Sequence, residues 1–251
     1  MVKIAILVID ADDEPVYSVG REMWRYAARL YDVPVFFLRA DRRVNDDGVY
    51  VENDVIYARW FDRFETRLNH KTLLGLHYCY QNLDFDYVLR TNLSSVYRVD
   101  VLRDFLARQG RDRFYGGYLN WLPIEDGDPA GFEYVSGSGV LISKDLLPRL
   151  INAKAVIDDT YVDDVWLGLA LRDLPRVALD RCDLTDVTEL SVAQMRAVSD
   201  KIDAAMRSGG FHFRVKNEGE AGRLALDSMV FGMLFERVLA PLLRQGANLQ
   251  A

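Results

Sequence analysis

Apolar positions in this chain gather into short, nearly unbroken runs that alternate with stretches of helical periodicity. Residues 2–9, Val-Lys-Ile-Ala-Ile-Leu-Val-Ile, form a run of the kind found in strands buried on both faces, as in parallel sheets. Asp13, Glu14 and Pro15 then read as a helix start, with Pro suited to the first turn and the acids facing the positive end of the helix dipole. The helix they predict runs through Met23, Trp24, Ala27, Ala28 and Leu30. Further strands are predicted at residues 33–38, 55–57, 87–90, 114–119, 140–143 and 177–179. Further helices are predicted at 68–80, 101–106, 146–151 and 165–171. Residues 40–48 are polar and predict a loop, and 123–131, acidic and punctuated by Gly and Pro, predict a turn region. The last third is more helical, notably 221–243.

Strands alternating with helices define an α/β class, a Rossmann-like mixed, mostly parallel sheet flanked by helices. No internal repeat, low-complexity tract or linker interrupts the pattern. Residues 1–251 are therefore expected to form one domain, with a helical C-terminal segment at about 221–245 packing across the sheet. In such sheets ligands bind outside the carboxyl ends of the strands. Residues 10–13, 91–95, 136–139 and 163–164 are the segments this rule selects. No G-x-G-x-x-G follows the first strand and no Walker A sequence occurs, so nicotinamide, flavin and P-loop readings lose their usual support. Ser136-Gly137-Ser138-Gly139 is expected to precede the strand at 140–143. Glycines there suit a backbone that lets a sugar-sized ligand approach closely.

Composition narrows the partners. The chain carries 31 Lys+Arg against 38 Asp+Glu, a formal net charge of −7, and half its residues are hydrophobic, as in an ordinary globular protein. That balance argues against a nucleic-acid binder but leaves room for a basic pocket around one small phosphorylated ligand. Cys79 and Cys182 form no C-x-x-C or Cys/His cluster, so both are read as buried free thiols and no structural zinc is expected. His70 and His77 lack Glu or Cys at ligand spacing and are read as structural. Residues 2–9 are too short to cross a bilayer and are cut off by Asp10, Asp12, Asp13 and Glu14. The expectation is a protein without a membrane span or signal peptide, acting in the cytoplasm.

Several strings then match one family in order. Glu52-x-Asp54-Val55-Ile56, Asp62-Arg63-Phe64-Glu65 and Leu68-Asn69-His70-Lys71-Thr72 resemble a block of the β-1,3-glycosyltransferases, the GT-A superfamily members that include galactosyltransferases and Fringe enzymes. Asp86-Tyr87-Val88-Leu89-Arg90-Thr91 is similar to the family's D-F-V-L-K-T, and Tyr115-Gly116-Gly117 to its following strand. Residues 134–143 resemble Y-x-S-G-x-G-Y-V-L-S, and Asp163-Asp164-Val165-Trp166-Leu167-Gly168 resembles E-D-V-x-x-G. The resemblance covers about residues 52–172. It implies a GT-A fold that binds a nucleotide sugar, usually a UDP-sugar, and transfers the hexose with inversion to a glycan hydroxyl. It also implies one carboxylate as base and a divalent metal held by a D-x-D motif.

The chain departs from the family at the metal. Where three acids are usual, Arg90-Thr91 is followed by Asn92-Leu93-Ser94-Ser95, whereas Mg²⁺ and Mn²⁺ need carboxylate charge beside the diphosphate. A degenerate site at Asn92, Ser94 and His212 is what remains for an ion. Literal D-x-D strings stand elsewhere. Asp84-Phe85-Asp86 precedes its strand, Asp126-Gly127-Asp128 lies in the turn region, and Asp10-Ala11-Asp12 follows the first strand. Asp10 and Asp12 are expected to accept from uracil or ribose, with helix capping by Asp12 or Asp13 as the alternative. Without a metal, the charge on a departing diphosphate needs a preorganised positive group. Residues 211–217 predict a strand with His212, Arg214 and Lys216 on one face and Phe211 and Phe213 on the other. Those three are expected to clamp the diphosphate, or else to form the solvated face of an edge strand.

The resemblance assigns the remaining roles. Asp164 matches the family's base, and Asp163 stands where Glu is usual, with one of the pair able to cap the following helix. Lys71, Arg90, Thr91, Asn92 and Ser94 are expected near the nucleotide, Lys71 alternatively being a solvated helix residue. Ser136, Gly137, Ser138, Gly139 and Trp121 are expected near the sugar or acceptor, with Tyr118 as a further stacking group, and Trp166 in the core. Two function readings follow. One is an inverting hexosyltransferase that forms a β linkage without a metal. The other is an inactive GT-A domain that binds a sugar or a partner protein.

Overall fold

The computed structural model describes residues 1–11, 14–44, 48–59, 68–122, 131–156, 160–219 and 222–241, with no side-chain description at 155 and 156. In chain order the first elements are β1 (Ile4–Ile9), α1 (Tyr17–Tyr31), β2 (Val35–Asp41), β3 (Val49–Glu52), β4 (Val55–Arg59) and α2 (Leu68–Asn82). Then come β5 (Tyr87–Asn92), β6 (Ser95–Tyr97), α3 (Val99–Leu106), β7 (Tyr115–Leu122), β8 (Phe132–Ser143) and α4 (Leu147–Asn152). The last are α5 (Asp163–Ala170), β9 (Val177–Ala178), β10 (Cys182–Leu184), α6 (Val192–Arg207), β11 (His212–Val215) and α7 (Arg223–Leu234). They fall into two compact units.

The first unit comprises Met1–Ala11, Pro34–Asn92 and Ala107–Leu179. Its eight-stranded sheet has the order β3-β4-β2-β1-β5-β8-β7-β9. β4, β2, β1 and β5 run parallel, β3, β8 and β7 join antiparallel, and β9 lies parallel to β7. The mixed, mostly parallel α/β architecture expected from the periodicity is the one observed. β1 is central because its run of Ile, Ala, Leu and Val has no polar face to leave in water, and Ala5, Ile6, Leu7 and Val8 are all fully buried. α2 packs its Leu73, Leu74, Leu76 and Cys79 into the same core as Leu7, Leu38, Ile142, Leu147, Trp166 and Leu167. Each such side chain contributes about 1.5–3 kcal/mol by leaving water. Gly75 permits this approach, since a Cβ there would stand 2.8 Å from Leu38 Cδ2.

The second unit comprises Asp12–Val33, Leu93–Leu106 and Asp180–Ala251. Its three-stranded sheet has the order β10-β11-β6. α1 buries Gly20, Met23, Trp24, Ala27 and Tyr31, the stripe that its helical spacing predicts. Gly20 lies against the Leu93 carbonyl, where a Cβ would approach to 2.4 Å. α6 buries only Val198 and Ile202 and is capped by Ser191, whose Oγ accepts from the Gln194 N–H at 3.3 Å. α7 buries Leu226, Val230, Phe231 and Leu234 and continues as a π-helical turn, Phe235–Leu239.

Several expectations change. β8 begins at Phe132, so Ser136, Gly137, Ser138 and Gly139 lie inside a strand instead of before one. Ala40 and Asp41 extend β2 into the expected loop. β3, β6, β10 and α6 had no strong signal, because their apolar stretches are too short or too sparse. The string at 62–65, the Asp126-Gly127-Asp128 string, and Asp12 and Asp13 lie outside the described residues. Among the described residues no helix is long and apolar enough to cross a membrane.

Candidate functional site

The site in the first unit starts from an irregularity in β8. Its ladder with β7 pairs Val140 with Gly117 and Val135 with Leu119, so residues 136–139 stand opposite Tyr118 alone. Their backbone leaves that ladder and must find other partners. β5 supplies them. Arg90 Nη1 donates to the Gly137 carbonyl, Asn92 Nδ2 donates to the same oxygen at 3.2 Å, and Thr91 Oγ1 donates to the Ser138 carbonyl at 2.7 Å. Ser136 Oγ and Ser138 Oγ lie 3.2 Å apart.

α5 closes the cluster from the other side. It starts after Val162, which has no capping side chain, so Asp163 and Asp164 occupy its first turn and neither is the cap residue. Asp163 is buried at 2% exposure; its Oδ2 meets Arg90 Nη2 at 2.5 Å and accepts from Thr72 Oγ1 at 2.5 Å. Asp164 is half-buried. Its Oδ2 accepts from the Gly137 N–H at 2.6 Å and its Oδ1 from the Val165 N–H at 2.9 Å. Burial, followed by the charge of Asp163, pushes the Asp164 carboxyl above its ordinary value, while Arg90 and the two N–H donors pull it back. The Tyr134 and Tyr115 hydroxyls also feel the Asp164 charge, and burial raises both.

The neighbouring strand ends carry a second polar group. Asp10, fully buried, forms an ion pair with Arg39 on β2 at 2.6 Å, and Lys71 Nζ reaches the Asp10 carbonyl at 3.4 Å. Lys71 is buried, which replaces the solvated-helix alternative. Trp121 stands 57% exposed near the end of β7, with Gly131 beneath its ring, where a Cβ would come within 2.2 Å. Trp166 is in the core, and Tyr118 is half-buried. His70 and His77 are half-buried on α2, and no cluster of metal-binding side chains occurs among the described residues. Cys79 is buried and Cys182 partly so; both are free, and burial raises both thiols, that of Cys79 to about 12.

The other expected residues belong to the second unit. β11 is its central strand, not an edge, and ends at Val215, so Lys216 lies beyond it and is exposed. His212 is 3% exposed, stacks on Tyr97 with ring centroids 4.3 Å apart, and has no hydrogen-bond partner at Nε2. Burial, Arg181 and Arg214 hold its pKa well below the ordinary histidine value, so the ring is neutral at pH 7. Arg214 is lowered to about 10 by burial and by Arg181. Ser94 Oγ accepts from Arg223 Nη2 at 2.9 Å, and Arg223 also pairs with Asp227 at 3.0 Å. Asp227 Oδ1 accepts from the Asn217 N–H at 2.8 Å and from Asn217 Nδ2 at 2.9 Å.

Sequence reasoning assigned no role to Arg39, Thr72, Tyr134 or Arg223. A cation beside the strand-end acid Asp10 was the available signal for Arg39; the other three join partners that only the fold brings near.

No protein-family model matches the chain, and no curated protein does. Among solved structures it is similar to a glycosyltransferase involved in the glycosylation of the major capsid of PBCV-1, with a TM-score of 0.50 and 10% identity. The match covers 91% of this chain and 98% of that one. The chain has a glycosyltransferase fold.

Proposed function

We propose that this chain, as a single GT-A domain of β-1,3-glycosyltransferase type, is an inverting hexosyltransferase. It moves a sugar from a nucleotide-diphosphate donor, UDP-sugar favoured, to a glycan hydroxyl with a β linkage, in the cytoplasm. The observation that carries the reading is Asp164. It is a half-buried carboxylate with a raised pKa, held by two backbone donors at the start of α5, beside the strand ends where this fold class binds ligands. In the reaction, the acceptor oxygen attacks the anomeric carbon and its proton passes to the Asp164 carboxylate. The bond to the diphosphate breaks on the opposite face, and the diphosphate leaves with the electron pair. Its charge needs a preorganised positive group. Asp10, Lys71 and Thr91 are assigned to the nucleotide side, and Trp121 to the acceptor, because an exposed indole offers a sugar a stacking face.

The residues expected for a divalent metal do not suit one. Asn92 directs an N–H₂ donor at Gly137, Ser94 Oγ receives a guanidinium, and none of Asn92, Ser94 and His212 is a carboxylate. The proposed reaction therefore has no step through Mn²⁺ or Mg²⁺. The second reading, an inactive sugar- or partner-binding domain, is favoured by that same loss of acids after Thr91. A thermal-shift screen of nucleotide sugars, with and without Mn²⁺ and in excess chelator, tests both. Stabilisation by a donor, with transfer surviving chelation, supports the enzyme. Stabilisation without transfer supports the binding module, and loss of transfer in chelator overturns metal independence.

A further inference from the structure

Successive side chains of a strand point to opposite faces of its sheet. Yet Arg90, Thr91 and Asn92, three successive residues of β5, all bond to the backbone of Gly137 or Ser138. The departure of β8 from the β7 ladder makes this possible. Gly137 is the residue between the two charged groups. A Cβ on it would lie 2.6 Å from Arg90 Nη1 and 2.9 Å from Asp164 Oδ2. Its carbonyl is taken by Arg90 and its N–H by Asp164. The second arm of the same guanidinium holds Asp163, the neighbour of Asp164 in the first turn of α5. Arg90 thus touches both supports of Asp164, the residue whose N–H it accepts and the helix turn that carries it. Arg90 is itself only 4% exposed.

We infer that Arg90 is a positioning residue for Asp164: its two guanidinium arms fix the Gly137 backbone and the Asp163 carboxylate, and these together set where the Asp164 carboxyl stands. Arg90 is expected at the nucleotide and Gly137 at the sugar; the bonds observed join Arg90 to Asp163 and Gly137 to Asp164. A guanidinium is suited to this because its fork is planar and rigid, whereas a lysine offers one flexible point charge. Gly is required at 137 for space. The inference rests on Asp164 being the base, so its test includes a readout taken without substrate.

Two variants decide it. Arg90→Lys keeps the charge and loses the fork. Gly137→Ala keeps every charge but inserts a methyl between Arg90 and Asp164. The ¹³C shift of the Asp164 carboxyl, assigned with Asp164→Asn, is compared in the folded wild type and both variants. Steady-state transfer is measured alongside. The expected result is a displaced Asp164 resonance in both variants, with kcat down by about tenfold or more and donor KM within about twofold, as a misplaced catalytic group produces. An unchanged resonance in folded Gly137→Ala overturns the inference, even if Arg90→Lys fails to fold. A raised KM with unchanged kcat also overturns it and returns Arg90 to donor binding. Should Asp164→Asn retain transfer, the base assignment falls, while the resonance still decides whether Arg90 positions Asp164.

Discussion

Each unit contains an arginine paired with a buried aspartate, and the two arrangements end differently. In the second unit Arg223 pairs with Asp227, Asp227 accepts twice from Asn217, and Asn217 Oδ1 in turn accepts from the Val187 N–H at 2.8 Å while its Nδ2 donates to the Leu184 carbonyl at 3.0 Å. That chain of bonds runs inward from Arg223, which also reaches the half-exposed Glu14 at 3.4 Å, to side-chain and backbone groups of buried residues. In the first unit Arg90 pairs with Asp163, but the bonds lead through Gly137 to Asp164, a carboxylate that keeps one side toward solvent. The closed network serves folding. The open one leaves a charged group with spare acceptor capacity, which is what proton transfer needs.

The comparison can be broken most severely at its open end. Asp164→Asn should lower transfer by about 10²–10⁴-fold, the usual worth of a positioned base, with circular dichroism unchanged and donor binding retained. Next in size is the closed end. Asp227→Ala strips Arg223 and Asn217 of their shared acceptor and should cost about 3 kcal/mol in urea unfolding, with tryptophan fluorescence as the probe.

Acid sharpens the contrast further. His212 has a depressed folded pKa, so its contribution to stability is complete above the unfolded value of about 6.5 and is lost as pH falls below it. Asp164 has a raised folded pKa, so its contribution is complete below the unfolded value of about 3.9 and is lost as pH rises through the folded value. The His212 part of the unfolding free energy should therefore fall between pH 7 and pH 5, with Asp164 acting in the opposite sense, and His212→Phe should remove that part. Over the acidic range transfer should decline as Asp164 takes up its proton. The smallest effect belongs to Ser94→Ala, which removes one of several partners of Arg223 and should cost about 1 kcal/mol or less by the same urea measurement.

The parallel half of the main sheet was legible because β1, β2 and β5 carry unbroken apolar runs that few other structures can bury. The first half of β8 was not. Ser136, Gly137, Ser138 and Gly139 read as punctuation, and it takes the Thr91–Gly139 pairing and the side chains of β5 to hold them as a strand. α6 escaped notice because it buries two residues and leaves a polar surface that resembles a loop. The site divides the same way. Asp163 and Asp164 stood out as adjacent acids opening a helix, but their unequal fates depend on Arg90 and Gly137, which are distant in the chain. No local pattern announces a bond between residues so far apart. Lys71 shows the converse. A lysine in a helical stretch reads equally as a nucleotide contact or as a solvated residue, until the fold buries it and the Asp10 carbonyl comes into reach.

The irregularity in β8 should also favour one alignment of that strand against β5. Sliding β8 by two residues along β5 would keep the same side chains facing the core, so apolar burial alone discriminates weakly against that mispairing. The slipped strand would forfeit the bonds from Arg90, Thr91 and Asn92 at once and strand a guanidinium in a dry interior. The polar groups beside Asp164 thus make one alignment of β5 and β8 far cheaper than its nearest competitors. A chain lacking Arg90 would be expected to lose fidelity of strand pairing along with activity.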